Sequence, residues 1–192
     1  MASNPRQTVI DFLSAPLAPV HTDLVLSGET KTQDGTRRTS GGLGALASTI
    51  RFLKERTVPA FYACSVLFED DEGHVWEMVC LVQQNTRGEW IFRNGTGGLP
   101  RTSRQLEQEK RKLEMAKTSV VLVSGLGTEG GFYAGGYLIE PDERTEQENI
   151  HVTLTSFNGV TLEDEVRPED DGRVLFVTDQ FVLGPVYAIV NG

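Results

Sequence analysis

Residues 150–166 read IHVTLTSFNGVTLEDEV, and this stretch decides the fold of the second half of the chain. Apolar and polar residues alternate on both sides of the Phe-Asn-Gly sequence at 157–159, which is typical of two antiparallel strands joined by a tight turn. A two-residue turn would place Leu154 opposite Glu163, whereas a three-residue turn places Leu154 opposite Leu162. Because the second register aligns apolar with apolar side chains, we predict a three-residue turn.

This register leaves one residue in an unfavourable position. It places Asp164 opposite Val152, on the mostly apolar face of the hairpin. A carboxylate that is buried without a partner loses its hydration at a large cost in free energy. We therefore expect Asp164 to have a partner, or to lie at an open sheet edge.

Short strands separated by turn residues continue on both sides of the hairpin, as in a sandwich or a small barrel. We predict that residues 118–192 form an antiparallel β-sandwich-like module. Its predicted strands are 119–123, 132–139, 150–156, 160–166, 174–178 and 186–190.

The first half is predicted to begin with two helices, at residues 7–15 and 43–56. The apolar residues of the second helix recur at spacings near 3.6 residues: Leu43, Leu46, Ile50 and Leu53. Pro16 and Pro59 follow the two segments, where a helix is expected to stop.

A long hairpin follows the predicted helices. Residues 60–69 and 75–84 alternate in polarity, and the turn that joins them ends in Gly73, which places Cys64 opposite Cys80. A third strand is predicted at 89–93. The predicted fold class is therefore α+β, with N-terminal helices packed on an antiparallel curved sheet, followed by the C-terminal β-sandwich-like module.

A change in composition marks the predicted boundary between the two halves. Residues 101–117 carry six basic and three acidic side chains with few apolar ones, which is typical of an exposed linker. We predict an α+β unit at 1–100, a charged linker at 101–117 and an all-β module at 118–192.

Composition limits the classes of partner. The net charge of −9 repels phosphate groups and anionic bilayers, so we expect neither nucleic acid nor membrane as a partner. The N-terminal residues lack the apolar run of a secretory signal, and two cysteines are too few for a disulfide scaffold. The expected location is the cytoplasm.

Residues 42–47 read GLGALA and match the G-x-G-x-x-A pattern of dinucleotide-binding turns. That pattern has to follow a buried strand, but the preceding residues 36–40 are polar. We therefore predict no cofactor. A flexible loop is one interpretation of this segment, and an anion site made of Arg37, Arg38, Ser40 and the amides at the start of the predicted helix is another.

Clusters of acidic residues at 70–72, 163–165 and 169–171 are interpreted as solvated turns, and calcium binding is the alternative. The histidines have no metal-ligand spacing, so no metal site is predicted. His74 lies close to acidic residues, which allows a role as a general base that a carboxylate orients. An exposed position beside the turn is the simpler interpretation.

Four residues near the predicted hairpin are candidates for ligand binding: Tyr62, His74, Trp76 and Trp90. The order of elements over residues 7–95 resembles the cone-shaped NTF2-like (SnoaL) fold. This resemblance implies a small-molecule pocket against the aromatic face of the sheet. An ordinary α+β core is the alternative.

Three functional hypotheses follow from these patterns. The first is a non-catalytic binding or interaction protein that uses the β-module as its recognition surface. The second is a small-molecule carrier or enzyme with the NTF2-like pocket, and the third is a structural component of an assembly. Enzymatic activity is left open. A protein partner, a small molecule and a homo-oligomer are all compatible with the sequence.

Overall fold

A computed structural model of the chain describes residues 4–16, 42–98, 120–128, 131–138, 149–183 and 186–191. Within these ranges there is one α-helix, α1 (Pro5–Ser14), and there are two short 3₁₀ turns, Ala47–Thr49 and Pro168–Asp170. The strands are β1 (Arg51–Val58), β2 (Phe61–Glu69), β3 (Val75–Gln84), β4 (Trp90–Gly98), β5 (Val120–Thr128), β6 (Gly131–Leu138), β7 (Ile150–Ser156), β8 (Thr161–Val166), β9 (Arg173–Thr178) and β10 (Val186–Asn191). No helix in these ranges is long and apolar enough to cross a bilayer.

The strands form three antiparallel sheets. The first has the order β1-β2-β3-β4, the second β5-β6-β9 and the third β10-β7-β8. All six strands predicted for the second half are present, with ends that differ by a few residues. Both predicted hairpin registers are confirmed, because Leu154 pairs with Leu162 and Cys64 pairs with Cys80.

The predicted α+β class, with N-terminal helices packed on a curved sheet, is wrong. The described chain is mostly β, and of the two predicted helices only the first exists. Residues 43–56 instead contain an extended segment, a 3₁₀ turn and strand β1. The apolar spacing there imitates a helix, but β1 forms its hydrogen bonds with β2, and tertiary pairing of this kind overrides a weak local preference.

The helix α1 begins two residues before its predicted start, and its first residues explain why. Asn4 caps it by accepting a hydrogen bond from the Arg6 amide at 3.0 Å, and Pro5 occupies the first helical position. The ring of Phe12 stacks on Phe92 of β4 with centroids 3.6 Å apart. This contact fixes α1 against the first sheet.

The sheets lie face to face in layers. One face of the first sheet packs against α1 and residues 43–50. Its other face packs against the second sheet through residues such as Phe61, Leu81 and Tyr133. The opposite face of the second sheet packs against the third, with Phe176 and Leu154 in their shared core. The second sheet is therefore covered on both faces, which explains why β9 is apolar at successive positions rather than alternating.

Glycines allow the first and second sheets to approach closely. A Cβ atom at Gly135 would lie 2.4 Å from Cγ2 of Val79, and one at Gly131 would lie 2.6 Å from the ring of Phe61. Residues of both halves therefore share one apolar cluster. The predicted linker 101–117 lies outside the described residues, and the division at that point stays a prediction.

Candidate functional site

The aromatic face that was expected to line a small-molecule pocket is filled by protein. Tyr62, Phe68 and Cys80 are at most 4% exposed and pack in one cluster with Val9 and Leu13 of α1. This packing does not favour a ligand between α1 and the sheet.

The four predicted ligand-binding residues do not form one site. Trp76 pairs with Phe68 near the β2–β3 turn, whereas Trp90 pairs with Gln84 at the other end of β3. Tyr62 pairs with Val82, close to the Trp90 end. Tyr62, Trp76 and Trp90 contribute to one apolar cluster, whereas His74 and Trp76 meet at a shared polar partner.

Tyr62 and Cys64 are stabilised in their neutral forms. The Tyr62 hydroxyl donates a hydrogen bond to the carboxylate of Glu55. Burial, followed by the neighbouring Cys64 and Glu55, raises the pKa of Tyr62 far above its ordinary value. Burial also raises the pKa of the Cys64 thiol, and its contact with Cys80 acts in the same direction. A thiol held in this form is a poor nucleophile.

His74 and Trp76 meet at Asp70, beside the β2–β3 turn. The carboxylate of Asp70 accepts hydrogen bonds from Trp76 Nε1 at 2.8 Å and from the backbone amides of Glu72 and His74. His74 Nδ1 lies 3.3 Å from the same carboxylate, and the side chain of His74 is about half exposed. Burial alone would raise the pKa of Asp70, but the hydrogen bonds from Trp76, His74 and Glu72 lower it. Asp70 therefore organises the turn, and His74 lies exposed beside it, while a role of His74 as a general base stays a prediction.

The GLGALA segment does not open a helix. The amides of Leu43 and Ala45 donate to the carbonyl oxygen of Leu13, and the Gly44 amide donates to that of Ala15. A Cβ atom at Gly42 would lie 1.9 Å from the Ala15 carbonyl oxygen. These amides satisfy the last carbonyls of α1, so they are not available to a phosphate. Arg37, Arg38 and Ser40 of the predicted anion site lie outside the described residues.

A largely buried group of charges joins the three sheets. This ion-pair node consists of Lys54, Arg56, Asp164 and Asp170. Lys54 Nζ lies 2.8 Å from Asp164 Oδ2 and 2.9 Å from Asp170 Oδ2. It also donates to the backbone carbonyls of Glu165 and Arg173, each at 3.0 Å. The ammonium group is thus surrounded by four acceptors.

Asp164 has the partners that its position in the hairpin required. Its Oδ1 accepts a hydrogen bond from Arg56 Nη1 at 3.1 Å, and its Oδ2 accepts one from the Leu175 amide at 2.8 Å in addition to the Lys54 contact. The node lies in a cleft of about 480 Å³ between β1 and the β8–β9 connection. Its groups are mutually satisfied, which indicates a structural role.

An exposed apolar surface lies at the end of the third sheet. We define this apolar tip by three side chains: Phe157 is 62% exposed, Phe181 67% and Leu183 50%. The other large apolar side chains that are exposed in the described residues, Leu46, Val75 and Ile91, have lower exposures of 41–44% and lie in or beside the first sheet.

Hydrogen bonds hold the apolar tip in shape. The Phe157 amide donates to the Leu183 carbonyl at 3.1 Å, which joins the β7–β8 turn to residues 181–183. The Asn158 side chain completes the connection, because its Nδ2 donates to the Phe181 carbonyl at 2.7 Å and its Oδ1 accepts from the Leu183 amide at 3.1 Å. Gly159 adopts a φ of +78°, as the three-residue turn requires. Phe157 and Phe181 are therefore exposed on an ordered support.

One residue of the apolar tip could have been predicted as exposed from the sequence. The predicted turn exposes Phe157, because its neighbour Ser156 ends the inward-facing row of β7. Nothing in the local pattern singles out Phe181 or Leu183, whose position beside the turn depends on non-local hydrogen bonds.

Comparison with known proteins adds no functional information. No family model, no curated protein and no solved structure matches this chain. No group of three or more His, Cys, Asp or Glu side chains within the described part of the chain is arranged to hold a metal ion.

Proposed function

We propose that this protein is a non-catalytic interaction protein that binds a protein partner through the apolar tip of its C-terminal module. The observation that carries the proposal is the exposure of Phe157 and Phe181 on a hydrogen-bonded support. Aromatic side chains are common binding hot spots because they bury much area and lose little conformational entropy. Ordering the support in advance reduces the cost of binding further.

The net charge of the chain supports the choice of a protein as partner. The net charge of −9 disfavours nucleic acid, so we expect a protein partner. We also expect the protein to act in the cytoplasm, where thiols stay reduced.

A comparison of two double variants tests the proposal. Phe157→Ser/Phe181→Ser removes the apolar tip, and Val75→Ser/Ile91→Ser removes two exposed apolar side chains of the first sheet. Each protein is used as bait under native conditions in an extract of the cells that produce it. We expect a discrete partner with the wild type and with the Val75/Ile91 variant, but not with the tip variant. Equal recovery by the tip variant, or no partner for the wild type, would contradict the proposal.

A further inference from the structure

We infer that Cys64 and Cys80 are a redox modification site, which forms a reversible disulfide within the chain when the packing of α1 opens. The site lies in the first sheet and does not depend on the proposed function. The strand register, the neighbours of the two thiols and their burial support this assignment.

The strand register sets the distance between the two cysteines. Cys64 of β2 directly faces Cys80 of β3, and the pairing of these strands runs without a register shift. Beside their turn, the Asp70 amide donates to the carbonyl oxygen of the facing His74 at 2.9 Å. Since hydrogen-bonded pairs recur at every second position, Cys64 and Cys80 form such a pair, with Cα atoms about 5.5 Å apart. A disulfide can bridge Cα atoms that are about 4.4–6.8 Å apart.

The neighbours of the pair in the sheet favour a bond between the two thiols. On its other side Cys80 faces Gly95, which carries no side chain, and Cys64 faces Glu55. The carboxylate of Glu55 accepts a hydrogen bond from the Tyr62 hydroxyl. The thiol of Cys64 is in contact with that of Cys80. Each cysteine therefore has the other beside it as a resolving thiol, as is common in redox-sensing pairs.

The geometry of the pair predicts a bond that is easily reduced. The Cβ atoms of facing residues lie about 4.5–5.5 Å apart, and a hydrogen-bonded pair lies at the wide end of this range. A relaxed disulfide holds its Cβ atoms about 3.5–4.5 Å apart, so β2 and β3 have to move together slightly. The resulting strain favours reduction, which makes this bond suitable for a reversible modification rather than a permanent cross-link.

Burial protects the thiols in the closed protein. Both cysteines are 0% exposed, and they lie in one apolar cluster with Val9 and Leu13 of α1, which are equally buried. Burial also raises the pKa of Cys64, which reduces the amount of reactive thiolate. An oxidant therefore reaches the pair only when this packing opens locally, and the rate of oxidation measures the opening.

The oxidant that we propose is a disulfide of low molecular weight. In the open state one cysteine thiolate attacks a sulfur atom of the oxidant, which leaves a mixed disulfide and releases half of the oxidant as a thiolate. The other cysteine thiolate then attacks the protein sulfur of the mixed disulfide and releases the second half. The protein loses two electrons and two protons, and the oxidant takes them up as two thiols.

Oxidation of the purified full chain by glutathione disulfide under native conditions tests the modification site. Intact mass, measured after alkylation of the remaining thiols, identifies the product. We expect a chain that has lost two hydrogen atoms and yields a proteolytic fragment linking Cys64 to Cys80, and dithiothreitol should reverse the change. In Cys80→Ser the glutathione adduct of Cys64 should persist, because the resolving thiol is absent. A wild type that stays reduced, keeps glutathione on either cysteine or forms links between two chains overturns the inference.

Leu13→Ala tests the part that α1 plays. The variant removes a fully buried contact of the helix. We expect oxidation about tenfold faster than in the wild type or more, since loss of a buried leucine side chain weakens packing by more than a tenfold change requires. Ile91→Ala changes a side chain that is 41% exposed and outside the cluster, so it should oxidise at the wild-type rate. Equal rates in all three proteins overturn the inference.

A measurement on the wild type alone covers the case in which Leu13→Ala does not fold. The oxidation rate of the native chain, divided by that of the urea-unfolded chain, gives the population of the open state. Because local opening costs less free energy than global unfolding, this population should exceed the unfolded population obtained from urea denaturation. Equality of the two populations would show that only the unfolded chain is oxidised and would overturn the inference.

Discussion

The Nζ atom of Lys54 in β1 lies 2.8 Å from Oδ2 of Asp164 in β8, and their side chains are only 9% and 6% exposed. Lys54 belongs to the first sheet and Asp164 to the third, while the Leu175 amide that also binds Asp164 belongs to the second. One ion pair therefore joins the three sheets. Because both charges are buried, each depends on the other for its solvation.

Replacement of Lys54 by Met is expected to destabilise the fold strongly. The change leaves the buried carboxylate of Asp164 without its closest cation, and breaking such a pair costs about 3–5 kcal/mol. The free energy of unfolding from urea denaturation measures the loss. Arg51→Met, at an exposed position of the same strand, is the control and should change it by less than about 0.5 kcal/mol.

The coupling between Lys54 and Asp164 can be measured separately. In a double-mutant cycle, Lys54→Met combined with Asp164→Asn should cost less than the sum of the single variants, since the second change removes the buried charge that has lost its closest cation. Additive losses would show that the two side chains act independently and would contradict the ion-pair account.

Tyr133→Phe and Tyr62→Phe are expected to have opposite effects. The Tyr133 hydroxyl is buried and has no hydrogen-bond partner among the described residues, so its removal should stabilise the fold by about 1 kcal/mol. The Tyr62 hydroxyl donates to Glu55, so its removal should cost about 1 kcal/mol. Urea midpoints at pH 7 measure both. A loss of stability in Tyr133→Phe would indicate a bound partner for that hydroxyl.

Asp70 is expected to make stability depend on pH in the acidic range. Its pKa is lower in the folded chain than in the unfolded chain, so the unfolded state binds more protons between the two values. The stabilisation is therefore fully present above the unfolded pKa of about 3.9 and is lost as the pH falls through the folded value. The stability difference between wild type and Asp70→Asn should be smaller in acid than at neutral pH.

Trp76→Phe provides a test of the cause of this pH dependence. It removes a hydrogen bond that lowers the pKa of Asp70, so the acid-dependent part of the stability should become smaller. An unchanged pH profile would mean that Trp76 does not contribute to it.

Gly135→Ala is expected to destabilise the contact between the first and second sheets. The new methyl group would collide with Val79, and overpacking of this kind costs about 1–3 kcal/mol. Addition of Val79→Ala should recover part of the loss. Gly98→Ala is the control, because nothing lies within 4 Å of the added atom. Thermal unfolding of the three variants, including the Gly135/Val79 pair, distinguishes a collision from a general effect of replacing glycine.

The two hairpins could be predicted because residues close together in the sequence determine each of them. Alternation with a period of two, combined with a turn that contains Gly73 or Gly159, fixes both strand and register. Strand β1 could not be predicted in this way. The spacing of Leu43, Ile50 and Leu53 imitates a helix, and only the pairing of β1 with β2 reveals its true conformation.

The same holds for the candidate sites: features set by neighbouring residues could be predicted, and contacts between distant segments could not. The hairpin register placed Asp164 on an apolar face and so predicted a partner or an open sheet edge, but it contained nothing to identify Lys54. The apolar tip was missed because it combines the turn after β7 with residues that follow β9. The predicted aromatic pocket depended on the α+β fold, and α1 and the residues before β1 fill its place.

Photo-cross-linking from position 181 tests the central claim most directly. Phe181 is replaced by a benzophenone analogue of phenylalanine in the full chain, and the same analogue is placed at position 91 as a control. The proposed function predicts a discrete adduct from position 181, at twice the chain mass if the partner is a second copy, and none at comparable yield from position 91. No adduct from position 181, or the same adducts from both positions, would contradict the assignment of the apolar tip as the binding surface.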